Sequence, residues 1–120
     1  MTPLEQARRI AALANEKLAH DIVILDMRPL ATFTDFFVIC SGQNARQTKA
    51  ISDEIHGRLK KDEGLLPRST AGTAESTWIV ADYLDVVVHI FTPEARGFYR
   101  LEHLWGDVPT VEPELEAAAS

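Results

Sequence analysis

A chain of 120 residues, nearly half apolar and a quarter charged, holds one domain's worth of sequence: enough for a real core, too little for two. No apolar run approaches the ~20 residues of a membrane-spanning helix, no apolar signal core opens the chain, and the lone cysteine, Cys40, rules out an internal disulfide, so a reducing cytosol is the expected compartment. The formal charge of −6 belongs mostly to the chain's end: setting aside Asp107, Glu112, Glu114 and Glu116 leaves fourteen acids against twelve bases, or −2, which disfavours broad phosphate-backbone binding and suits a basic protein partner.

Residues 1–20 read as an amphipathic helix. Thr2-Pro3-Leu4-Glu5 supplies an N-cap, a first-turn proline and a capping-box glutamate. Leu4, Ala7, Ala11, Ala14 and Leu18 form its apolar stripe, with Ile10 at the edge, and so much alanine suits packing on a sheet better than a membrane surface. Residues 21–28 and 36–40 are strands apolar on both faces, as central strands must be, and the short stretch between them predicts an antiparallel pair. Ser41-Gly42-Gln43-Asn44 then opens a helix that Gly64 ends, with Thr48, Ile51, Ile55 and Leu59 inward and mixed charges outward.

Residues 65–70 suggest a short strand and 71–76 a loop of small residues. Residues 78–82 and 86–91 follow as a β-hairpin, in which Trp78, Val80 and Asp82 share one face and Ile79, Ala81 and Tyr83 the other. Thr92-Pro93-Glu94 begins a closing helix to about Trp105, with Phe98, Leu101 and Trp105 on its inward stripe. The fold class is α/β, a mixed sheet of about five strands flanked by helices. Residues 1–106 are the domain; residues 107–120, acidic and holding two prolines, read as a tail with little fixed structure.

Tests for chemistry come out negative. The four histidines are scattered, neither HExxH nor CxxC occurs, and no metal or other cofactor is expected. Cys40 ends an apolar strand, where a thiol packs as a small hydrophobe, and Ser41 does not sit in a GxSxG elbow. A strand, Ser41-Gly42 and a helix do resemble the entrance of nucleotidyltransferase folds. Those enzymes hold Mg²⁺ with two carboxylates on one strand face, and Asp82 and Asp85, three apart, would point to opposite faces. An Mg-dependent, nucleotide-using enzyme is therefore the alternative reading. Six of the nine aromatics fall between Trp78 and Trp105, beside Arg and Glu, a composition that points to a docking surface.

Four blocks carry a resemblance: DIVILDMRPL; DFFVICSG with ARQTKAISDEI; WIVADYLDVVVHIF; and ARGFYRLEHLW. Over about residues 4–106 the chain resembles the Iojap-related ribosomal silencing factors, with Leu84 where that family often has glycine and Gln47 where histidine is common. The resemblance implies a non-enzymatic cytoplasmic factor and a nucleotidyltransferase-like topology without catalytic acids. Its implied partner is the fourteenth protein of the large ribosomal subunit. Bound there, it would block joining of the small subunit sterically and repress translation when nutrients are scarce. A homodimer, with one copy on the ribosome, is also implied, and the near-neutral charge of the body predicts little direct nucleic-acid binding.

The partner-binding residues it implies are Trp78, Asp82, Tyr83, Asp85, His89, Phe91, Pro93, Arg96, Tyr99 and Glu102. Each has a plainer reading: Trp78 and Phe91 as core, Asp82 or Asp85 as setters of the hairpin turn, His89 as a strand histidine satisfied by a neighbour. Tyr99 and Glu102 are favoured, because the helix stripe predicts that they are not both buried.

Overall fold

A computed structural model describes residues 1–31 and 33–115. Helix α1, Pro3–Glu16, starts as its capping residues dictate: Thr2 accepts from the Glu5 amide while Glu5 reaches back to the Thr2 amide. It stops earlier than the periodicity predicts. Leu18 lies beyond the end with φ 62° and is exposed, so Ile10 and Leu13, with the alanines, form the buried stripe.

Strands β1, His20–Asp26, and β2, Phe36–Ser41, pair antiparallel as expected, with one extra residue in β1 between His20 and Val23. Helix α2, Ala45–Glu63, is capped by Asn44 and ends at Gly64 in the left-handed region, and buries Thr48, Ile51, Ile55 and Leu59. Its Gln47 bridges to α1: the side-chain amide donates to the carbonyls of Lys17 and Leu18, both at 3.2 Å, at the end of the first helix.

The sheet continues with β3, Ser69–Ala71, then β4, Trp78–Asp82, and β5, Val86–Phe91. After β5 the predicted closing helix divides. Helix α3, Pro93–Tyr99, and the single turn α4, Leu101–Leu104, meet at Arg100, whose φ of 49° breaks the helix. The chain does not fray afterwards as the tail reading expects. Val108 is buried, and Thr110–Val111 pairs with β1 as β6. Residues 116–120 of the predicted tail lie outside the described residues.

The sheet thus has six strands, in the order β3-β4-β5-β2-β1-β6. Every neighbouring pair is antiparallel except β2 and β5. One face, with Ile24, Val38, Cys40, Ile79, Val88 and Ile90, is roofed by α1 and α2 and holds the main core. The other carries a smaller cluster around Leu25, Phe37, Ile39, Val87 and Phe91, covered by Leu101, Trp105 and Val108. The alternation of each strand decides which side chains reach which face.

Candidate functional site

Strand register brings the aromatic residues together on the less covered face. Trp78 lies opposite Phe91 and Val80 opposite His89, while the parallel neighbour places Ile39 beside His89 and Phe37 beside Val87. The Trp78 ring stacks on Phe91 at 5.0 Å between centroids and meets Tyr99 of α3 at 4.5 Å. Its indole N–H donates to His89 Nδ1 at 3.2 Å, and the His89 ring rests 4.7 Å from Phe37. Phe98 packs edge-on to Tyr99.

This arrangement fixes the state of His89. Burial pushes its pKa down to about 4, and Nδ1 is occupied as an acceptor, so the neutral ring carries its proton on a buried Nε2 that has no partner among the described residues. The plainer reading of His89, satisfied by a neighbour, therefore holds for one nitrogen and not for the other.

Helix α3 is pinned beside the cluster by Arg96. Its Nε and Nη2 donate to both oxygens of the Glu102 carboxylate, with Nη2 to Oε2 at 2.7 Å, and Nη1 donates to Ser41 Oγ at 2.8 Å. A two-pronged Arg–carboxylate pair with little exposure is a strong orienting contact. Pro93 opens α3 behind the Thr92 cap and is exposed.

The remaining candidates lie elsewhere. At the far end of the hairpin, Asp82 takes Arg68 at 3.0 Å and accepts from the Leu84 amide at 2.8 Å, so it does set the turn. The backbone carbonyl of Asp85 receives the amides of Asp35 and Phe36, while its side chain is exposed. Tyr83 is buried on the opposite face, in the core under the helices, where burial pushes its phenol up to about 12. Phe91 is fully buried and supports Trp78 from behind.

Sequence reading missed Phe98. Placed on the inward stripe, it is in fact 79% exposed, next to Tyr99 at 48%, with Leu104 exposed nearby in sequence. The miss follows from Arg100: once the helix breaks there, Phe98 no longer shares a stripe with Leu101 and Trp105. An arginine in left-handed geometry has no sequence signature, whereas glycine would have had one.

Burial lifts the Cys40 thiol to about 12, which leaves no thiolate to act as nucleophile. Among the described residues no three His, Cys, Asp or Glu side chains are grouped to hold a metal ion, and Asp82 is committed to Arg68.

Fold and site together define a class: a single-sheet α/β protein with one face roofed by helices and an aromatic cluster emerging at the rim of the other. The chain belongs to the family described as "Ribosomal silencing factor during starvation", whose model matches residues 1–120. It is 38% identical over 102 residues to the ribosomal silencing factor of Bacillus subtilis, covering 85% of this chain and 86% of that one. It is 32% identical over 101 residues to the mouse "Mitochondrial assembly of ribosomal large subunit protein 1", covering 80% of this chain and 43% of that one. A crystal structure of a Chromobacterium violaceum protein, 29% identical, superposes with a TM-score of 0.81 over 100% of this chain and 98% of the other. The α/β fold and the family resemblance read from the sequence are thereby shown.

Proposed function

We propose that this chain docks on the large ribosomal subunit through its fourteenth protein and bars the small subunit by bulk, in the cytoplasm, when nutrients are scarce. Family membership supports the silencing role. The observation that carries the docking surface is the rigidly backed aromatic group of Trp78, Tyr99 and Phe98. Phe91 and His89 hold Trp78 from behind, and Tyr99 and Phe98 stand out of the surface. Preorganised aromatics lose little freedom on binding and are the usual anchors of protein interfaces.

Within this reading the ten candidates divide by place. Trp78, Pro93 and Tyr99 make contact, and Phe98 joins them. Asp85, exposed at the hairpin tip, offers a carboxylate to basic groups of the partner, while Asp82 stays tied to Arg68 and the turn. His89, Phe91, Arg96 and Glu102 hold the contact residues in position, and Tyr83 belongs to the core. The homodimer implied by the family resemblance gives way to one copy on the ribosome.

Sedimentation with isolated large subunits, paired with a subunit-joining assay, tests this. Tyr99→Ala and Phe98→Ala each weaken binding by about tenfold or more, as loss of an interface anchor does, with unchanged thermal stability. Unchanged binding in both variants moves the interface elsewhere. Free joining in saturating wild-type protein ends the steric reading. Glu102→Ala is the poorer probe, because it also releases Arg96.

A further inference from the structure

Strands β2 and β5 are the sheet's parallel neighbours, and their continuations part company. From Ser41 the chain turns into α2 on one face; from Phe91 it turns through Thr92 into α3 on the other. In open α/β sheets such a divergence at the carboxyl ends of parallel strands leaves a crevice, and ligands bind there because two sets of loop and helix groups converge on it. Here the crevice is a cavity of about 350 Å³, lined by Ser41, Arg96, Arg100, Glu102, His20 and His103 among others. Gly97, which has open space where a Cβ would stand, leaves it unobstructed.

Of the two acidic groups that line it, one is paired with an arginine and the other lies beside a histidine. Glu102 is neutralised by Arg96, and Asp21 sits 3.3 Å from His20. Arg100 lines the cavity one helical turn beyond Arg96 and makes no ion pair among the described residues. Arg96 still has a second N–H on each terminal nitrogen, and Ser41, which accepts from Arg96, keeps its own hydroxyl proton to donate. Guanidinium N–H groups and a hydroxyl converging on one small space are the donor set of an oxyanion with several acceptors.

We propose that this crevice binds the phosphate group of a small ligand, received by Arg100, the spare N–H groups of Arg96 and the Ser41 hydroxyl. The site opens on α3 beside the aromatic rim, with Pro93, Arg96 and Glu102 shared between the two, and binding there needs no ribosome.

The full chain is titrated with inorganic phosphate and with pyrophosphate, against chloride at matched ionic strength, by calorimetry and by amide NMR. The expected result is saturable binding of pyrophosphate, with shifts concentrated at Ser41, Gly42, Arg96 to Arg100 and His103. Arg100→Ala, a change at an exposed side chain, weakens pyrophosphate about tenfold, the loss of one charge-assisted contact, and Arg100→Lys recovers part of it. Arg58→Ala, on the remote outer face of α2, leaves affinity unchanged. The proposal is overturned if neither probe exceeds chloride, if the shifts map to α2, or if Arg100→Ala binds as wild type does. No ribosome enters the assay, so its failure is distinct from failure of the docking reading.

Discussion

Leu84 holds a φ of 76° at the tip of the β4–β5 hairpin, in the left-handed region where a Cβ is crowded. Asp82 secures the turn by accepting the Leu84 amide, and the Leu84 side chain is 53% exposed, so little packing depends on it. Leu84→Gly is therefore expected to stabilise the fold. Relief of ~1–2 kcal/mol of left-handed strain outweighs the ~0.5–1 kcal/mol lost to the freer unfolded chain, for a net gain of up to about 1.5 kcal/mol. Urea denaturation checks this, and a lower midpoint would show that the leucine contributes packing after all. The unusual leucine was visible as a departure from the family's pattern; the conformation that makes it matter was not. His89 is similar. An apolar run interrupted by histidine is plain in the sequence, but its bond from Trp78 depends on cross-strand register, which alternation alone does not set.

At the scale of elements, most of the boundaries follow from local chemistry. Thr2, Asn44, Gly64 and Thr92 cap where their side chains or backbone freedom allow. Two errors cluster at the end of the chain, where packing overrides composition. The helix after Pro93 breaks at Arg100, and the segment read as loose tail becomes a strap. Pro109 accepts the Asp26 amide, Thr110 and Val111 pair with β1, and Arg8 Nε donates to the Glu112 carbonyl at 3.1 Å. Prolines and glutamates disguise this, since a two-residue strand has no period to detect. Ending the chain after Asp107 removes the buried Val108 and the β6 ladder. It should cost roughly 3 kcal/mol in urea unfolding, about the worth of one buried valine and a pair of backbone bonds. Wild-type stability in the truncated chain would mean the strap is ornamental.

For the molecule as a whole, acid stability reads out how the second face is built. His89 is neutral in the fold with a pKa of about 4, against 6.5 when unfolded. Between those values the unfolded chain binds a proton that the native state refuses. Stability is thus fully present above the unfolded value and falls as pH drops toward 4, by roughly 3 kcal/mol in total. Below that, Asp26 takes over: the hydrogen bonds from Arg28 lower its pKa, so its contribution is lost only as pH falls through that depressed value. Urea midpoints measured from pH 7 to 4 should show the decline in wild type and a flattened limb in His89→Gln. An equal slope in the variant would assign the decline to other groups.

Composition and periodicity by themselves determined the α/β class, the two amphipathic helices, both strand pairs and the concentration of aromatics after Trp78. Those features depend on spacing along the chain, and spacing is what a sequence records. Only the tertiary structure decided which aromatics emerge and which are buried, that Arg96 is bound to Glu102 and Ser41, and that the chain's end closes the sheet. Each of those outcomes turns on residues far apart in the chain meeting across a register or a broken helix, and no local pattern carries that information.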